Sequence, residues 1–269
     1  MPELPEVETV RRELIPLLVG KHITRVDIRW PRLVDRPTVE EFVHHLTGRA
    51  IVDIRRRGKF LIFDLDTGQH WIVHLRMTGR FYLRDTAQPD KHTHALLFLS
   101  DERVLHYRDQ RKFGRFYLVS DAEEIVGSLG PEPLGDTWQP HDLAEALKRR
   151  RAAIKSLLLD QRIVAGLGNI YADEALFLAG IHPARPGHTL TAEEVQRLHR
   201  AVRQVLEEAI AARGSSVSTY VPPSERRGSY QQQRRVYHRA GASCPRCGTP
   251  IERIKISGRS THFCPRCQA

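Results

Sequence analysis

Cysteine is missing from the first 243 residues of this 269-residue sequence, and no apolar run comes near the length that spans a bilayer. The first residues show no basic segment leading into a short apolar core and a cleavage site, so no secretion signal is read there. A membrane partner is therefore not expected. The expected compartment is the cytoplasm, where structural disulfides are rare. Internal repeats are absent, apart from a duplicated CPRC near the end. Methionine is scarce, and Met77 is the only internal one. Acid falls short of base, with 32 Asp and Glu against 42 Lys and Arg, which leaves a net charge of +10. A pI of about 9.8, carried mostly by arginine, points to a polyanionic partner, with nucleic acid ahead of acidic lipid. Arginine suits phosphate because its planar fork pairs in bidentate fashion. A solvated basic surface is the plainer alternative.

What is present falls into segments of different period. Residues 1–20 read as one amphipathic helix closed by Gly20, with Val7, Val10 and Leu14 at helical spacing. From residue 22 to about 119 the pattern changes to short runs rich in β-branched and aromatic residues: HITRVDIRW, AIVDIRRR, KFLIFDL, HWIVHLR, HALLFLS, RVLHYRD and RFYLV. Runs of this length between turn clusters predict an antiparallel sandwich. A short helical stretch, VEEFVHHL, interrupts them. A first domain over 1–126 follows, then a Gly- and Pro-rich linker over 127–140. Residues 141–233 read as helical, and Thr191 with Glu194 forms a capping-box pattern ahead of the longest helix. A Ser, Pro, Gly and Arg-rich stretch at 214–229 reads as a mobile loop, and 234–269 reads as a separate small module. The fold class is thus α+β and multidomain.

The small module holds all four cysteines, Cys244, Cys247, Cys264 and Cys267, as two C-x2-C pairs sixteen residues apart. That spacing fits a tetrahedral four-thiolate zinc site built from two knuckles. With four protein ligands it leaves no open position, so one structural zinc is expected, although spacing alone does not separate zinc from iron. The intervening IERIKISGRSTHF alternates like a β-hairpin turning at Ser257–Gly258, with Lys255 and Arg259 available for phosphate. Such ribbons also bind proteins.

The opening MPELPEVETV admits two readings. Proline in a first helical turn beside glutamate is ordinary helix-start chemistry. Removal of Met1 would instead make Pro2 a chain-terminal secondary amine close to the carboxylates of Glu3 and Glu6.

PELPEVE, the later AGLGNIYADEALF and the terminal four-cysteine finger occur in one order. Together they make the sequence similar, over essentially its whole length, to the bacterial formamidopyrimidine-DNA glycosylases. Leu4 separates it from the sister endonuclease VIII family, which typically has Gly there. The resemblance implies a helix on a β-sandwich, a helix–two-turn–helix domain and a zinc finger. It implies a monomeric glycosylase and abasic-site lyase acting on duplex DNA that contains oxidised purines or abasic sites. Pro2 would be the nucleophile and Glu3 the proton donor beside the sugar. Lys59 would be linked to β-elimination, and Arg259 to phosphate binding and δ-elimination. Glu6 would support proton or water positioning. Glu174 is a third candidate carboxylate, or an acid on a helix surface.

His74, His92, Arg111, Arg150, Lys155 and Asn169 match DNA contacts of the family. Met77, Arg111 and Phe113 match the residues that fill the space left by an extruded base, although Met77 also suits a core. A lesion-capping loop is expected at about Ser215–Tyr230. His238 stands where the family usually has Gly, which puts the local turn in question. An oxidised-pyrimidine glycosylase, a non-catalytic zinc protein binding damaged DNA and an RNA-directed ribbon protein are the competing readings.

Overall fold

The computed structural model describes residues 2–215 and 227–269. The described residues form two compact units, one from Met1–Ser128 with Arg213–Gly228, the other from Leu129–Ala212 with Ser229–Ala269.

The first unit opens with α1 (Leu4–Leu18), capped by Glu3. Pro5 sits in the first turn, where its missing N–H has no intrahelical partner to lose. Val7, Val10, Leu14 and Leu18 are each at most 1% exposed and enter the sandwich core. The remaining elements are β1 (Ile23–Ile28), β2 (Val34–Arg36), α2 (Val39–Leu46), β3 (Ile51–Arg57), β4 (Phe60–Leu65), β5 (His70–His74), β6 (Gly79–Arg84), β7 (Thr93–Leu99), β8 (Val104–Asp109), β9 (Arg115–Val119) and α3 (Glu123–Val126). They build a four-stranded sheet in the order β1-β7-β8-β6 and a five-stranded sheet in the order β2-β9-β5-β4-β3. The aromatic core is dense. Trp71 stacks on Phe63 at 4.2 Å between centroids, and Phe116 meets Tyr107 edge-on at 4.8 Å.

The sandwich expected from the sequence is present, with two additions. β2 runs parallel to β9, whereas the other described sandwich pairs are antiparallel. β6 is not among the expected strands, because it begins at a glycine and has only Phe81, Tyr82 and Leu83 between two arginines.

The second unit contains α4 (Pro140–Leu147), α5 (Ile154–Leu159), α6 (Asn169–Ala179), α7 (Ala192–Ala211), β10 (Glu252–Ile256) and β11 (Arg259–Phe263). The capping box is formed. The Glu194 N–H donates to Thr191 Oγ1 at 3.3 Å, and the Thr191 N–H donates to Glu194 Oε2 at 2.8 Å. The Gly- and Pro-rich stretch read as a linker is packed where it enters this unit: Trp138 is 1% exposed, and Arg203 donates to the carbonyls of Pro133 and Gly135. β10 and β11 pair as the expected hairpin, with Ile256 opposite Arg259. Ser257 and Gly258 form its turn with φ of 48° and 76°, the left-handed conformations a two-residue hairpin needs. Among the described residues no helix is long and apolar enough to cross a membrane.

Candidate active site

The start of α1 gathers the N-terminal candidates. Pro2, Glu3 and Glu6 are all buried. One Glu6 oxygen accepts from the Glu3 N–H at 2.8 Å, and the other accepts from the Ser215 N–H at 2.7 Å. Glu6 therefore caps the helix and grips the edge of the 214–215 segment. A side chain at Gly214, where φ is 76°, would press against the same carboxylate. The lesion-capping loop expected around Ser215–Tyr230 lies, for residues 216–226, outside the described residues.

Lys59 sits in the turn between β3 and β4 and is 8% exposed. That turn is tied to α1 by residues the sequence reading did not single out. Arg56 Nε donates to Glu8 Oε2 at 3.2 Å, while its Nη1 donates to the Gly58 carbonyl at 3.0 Å. Glu8 also accepts from Arg11 and Arg12. Only the spacing of Glu8 to Arg11 and Arg12 within one helical turn hints at part of this cluster in the sequence. His74 lies opposite Phe60 across β4 and β5, with the rings 4.5 Å apart. Burial, then the charges of Arg76 and Lys59, push the His74 imidazole down to about 3, so it is neutral at physiological pH. Its Nδ1 accepts the Arg76 N–H at 2.9 Å, which leaves Nε2 as the donor.

The three expected wedge residues lie on two turns of the same sandwich. Met77 is half-buried between β5 and β6, while Arg111 and Phe113 are exposed between β8 and β9. Phe113 is 46% exposed, and the Arg111 guanidinium lies 4.8 Å from its ring centroid. His92 is half-buried, and its carbonyl accepts the Asp109 N–H.

In the second unit the expected DNA contacts divide. Arg259 is exposed at the start of β11, and Arg150 is exposed with its Nε on the Ala146 carbonyl. Asn169 opens α6 after the turn at Gly166 (φ 88°), and its amide donates to the Ser260 carbonyl at 3.0 Å. Lys155 is fully buried. Its ammonium lies 2.6 Å from Asp173 and donates to the Ser260 carbonyl and to Thr261 Oγ1. Glu174 is also fully buried and accepts the N–H groups of Arg235, Val236 and Tyr237. Burial pushes its carboxyl up, opposed in part by those three donors.

The four cysteine sulfurs lie within 4.8 Å of one another, with Cys244–Cys267 at 3.9 Å and Cys247–Cys264 at 3.5 Å. Tetrahedral thiolates at zinc–sulfur distances of about 2.3 Å stand about 3.8 Å apart, so the donor set fits one structural zinc. His238 adopts φ 58°, the left-handed conformation for which glycine is the usual residue.

A sandwich whose chain start is built into a carboxylate-lined helix end, together with a helical unit bearing a zinc-ribbon hairpin, defines the class. Three family descriptions match in sequence: the formamidopyrimidine-DNA glycosylase N-terminal domain over residues 1–116, the H2TH domain of the same enzymes over 129–221, and the zinc finger found in FPG and IleRS over 243–269. The formamidopyrimidine-DNA glycosylase of Chloroflexus aggregans is 49% identical over 272 residues, covering 100% of this chain and 98% of that protein. The MutM (Fpg) protein of Thermus thermophilus superposes with a TM-score of 0.90 at 45% identity, covering 99% of this chain and 98% of the other. The Lactococcus lactis Fpg in complex with abasic-site DNA superposes with a TM-score of 0.93 at 40% identity, covering 99% of each chain. The chain belongs to the formamidopyrimidine-DNA glycosylase family, DNA glycosylases of base-excision repair.

Proposed function

We propose that this protein removes oxidised purines from duplex DNA and then cuts the strand at the resulting abasic site, working as a monomer with Pro2 as its nucleophile. The observation that carries the reading is Pro2 itself, which precedes a helix capped by Glu3 and carrying Glu6 in its first turn. With Met1 removed, the terminal nitrogen titrates near pH 8, so a useful fraction is unprotonated. Its attack on deoxyribose C1′ expels the base. A secondary amine has no second proton to lose, so the adduct is an iminium cation. Glu3 is the proton donor as the sugar ring opens. The iminium acidifies C2′, and loss of that proton breaks the 3′ C–O bond by β-elimination, with Lys59 near the reacting strand. δ-elimination follows, with Arg259 on the phosphate. Zinc supplies no chemistry here and only holds the hairpin that presents Arg259. Met77, Arg111 and Phe113 fill the space left by the extruded base, since an enzyme acting on a base must take it out of the stack.

Borohydride reduction of the complex with an 8-oxoguanine duplex should trap one cross-link, which peptide mass spectrometry should place on Pro2. A variant with one residue inserted ahead of Pro2 should bind the duplex and trap nothing. A cross-link on Lys59 in the processed protein would reject the nucleophile, and no cross-link at all would favour a non-catalytic binder of damaged DNA.

A further inference from the structure

Asp109 ends β8 directly below both turns that carry the expected wedge. It is 1% exposed, and its backbone and side chain are fully engaged. Its N–H donates to the His92 carbonyl at 2.9 Å, and its carbonyl accepts from His94 Nε2 at 2.8 Å. One carboxylate oxygen accepts the Thr78 hydroxyl and the Arg111 N–H, the latter at 3.2 Å. The other accepts the Gly114 N–H at 2.8 Å. Thr78 closes the figure, because its Oγ1 also accepts the Arg111 N–H at 3.1 Å. One buried carboxylate thus joins the residue after Met77 to the residues that bracket Phe113.

The surrounding backbone is built for that junction. Gly79 pairs with Asp109 across β6 and β8. A side chain at Gly79 or Gly114 would run into the Tyr107 hydroxyl, so both turn roots close on one buried ring. Each turn also holds a non-glycine residue in the left-handed region, Arg76 at φ 54° and Lys112 at φ 58°. Such conformations persist where the surroundings over-determine them. The Arg111 and Phe113 side chains stand out from this base and meet each other.

We propose that Asp109 is a positioning residue that locks the Met77 turn and the Arg111–Phe113 turn into one rigid wedge, and so governs base extrusion rather than strand cleavage. The inference rests on the wedge reading given above. A carboxylate can accept from three donors on two sides. An asparagine in its place would present an NH2 group to one set of N–H donors, and the turns would part there. The wedge would then be present but loose, which slows the step that needs it.

The test compares single-turnover excision of 8-oxoguanine with cleavage of a preformed abasic duplex, for the wild type, Asp109→Asn, Phe113→Ala and the double variant. Asp109→Asn should slow excision about tenfold and leave abasic cleavage within about twofold. The double variant should be no slower than Phe113→Ala alone, because the lock acts only through the wedge. Thr78→Val, which removes the bridging hydroxyl without changing volume, should show the same selectivity, and Thr78→Ser should restore the wild-type rate. Equal loss of both activities in Asp109→Asn and Thr78→Val, or no loss in either, overturns the positioning role. Failure of Phe113→Ala to separate the two activities rejects the wedge itself, whatever Asp109 does.

Discussion

The turns around Arg111 and the helix ends around Lys155 carry the same expectation, contact with DNA, yet are built in opposite ways. In these first-unit turns Arg111 and Phe113 are exposed, and the buried charge beneath them belongs to another residue, Asp109. In the second unit the candidate lysine is itself the buried charge. Its ammonium is paired with Asp173 and bonded to Ser260 and Thr261 of β11, the strand that begins with Arg259. Asp173 Oδ2 also accepts the His262 N–H at 2.9 Å. Glu174 repeats the pattern on the next residue of α6, gathering the 235–237 segment. A motif therefore marks a position without saying whether its side chain touches the ligand or holds the frame that does.

The comparison can be broken most severely at the metal. If the second unit works by internal anchoring, removing zinc with a chelator, or by Cys264→Ser, should melt the hairpin while the sandwich persists. Structural zinc in such modules contributes on the order of 10 kcal/mol of folding free energy. Metal analysis should find one zinc per chain lost. Hydrogen exchange should show protection vanishing across β10 and β11 and surviving in β4 and β5. Loss of protection in both units would contradict this division.

A smaller effect sharpens the same contrast. Lys155→Ala leaves Asp173 as an uncompensated buried carboxylate and should destabilise the second unit by about 3–5 kcal/mol. Arg111→Ala, at an exposed position, should stay within about 0.5 kcal/mol. The double replacement Lys155→Met with Asp173→Leu should recover much of the loss, since an apolar pair of similar volume removes both charges together. Unit-resolved hydrogen exchange reads all three. If Lys155→Ala weakens DNA binding with unchanged stability, Lys155 is a direct contact instead.

Much of this was legible in the sequence. VEEFVHHL, the α7 capping box and the Ser257–Gly258 turn were readable because cap and turn chemistry is local. The four zinc ligands were readable because their spacing has few other uses. β6 was hidden because a glycine and two flanking arginines leave only three apolar residues to show a strand, and β2 because three residues carry almost no period. The inward charges were the hardest to see. Nothing local distinguishes Lys155 in AIKSLLL from a solvated lysine, because its partners lie on another helix, α6, and on β11, 105 and 106 residues away. Asp109 was missed for the same reason: DQRKFG reads as a turn, whereas the second donor set comes from Thr78, 31 residues earlier.

The mildest test uses pH, because the two units hold their acids differently. On α1, burial alone would raise the Glu8 carboxyl, but hydrogen bonds from Arg11 and Arg12 and the charges of Arg11 and Arg56 outweigh it and hold it at about 2. In the unfolded chain the same group titrates near 4.3. Between those values the unfolded state binds the extra proton, so the stabilisation from Glu8 is complete above about pH 4.5 and drains away as pH falls towards 2. Glu174 in the second unit is shifted the opposite way, upward by burial, so acid relieves a cost there instead of removing a benefit. Glu8→Gln should therefore destabilise the first unit at pH 7 by about 1 kcal/mol, a figure kept small because Arg11 and Arg12 are partly solvated. The gap between wild type and variant should narrow by about half at pH 3 and close only below about pH 2, as urea unfolding monitored in the sandwich strands would show. A gap that stays constant with pH would mean that Glu8 acts by packing.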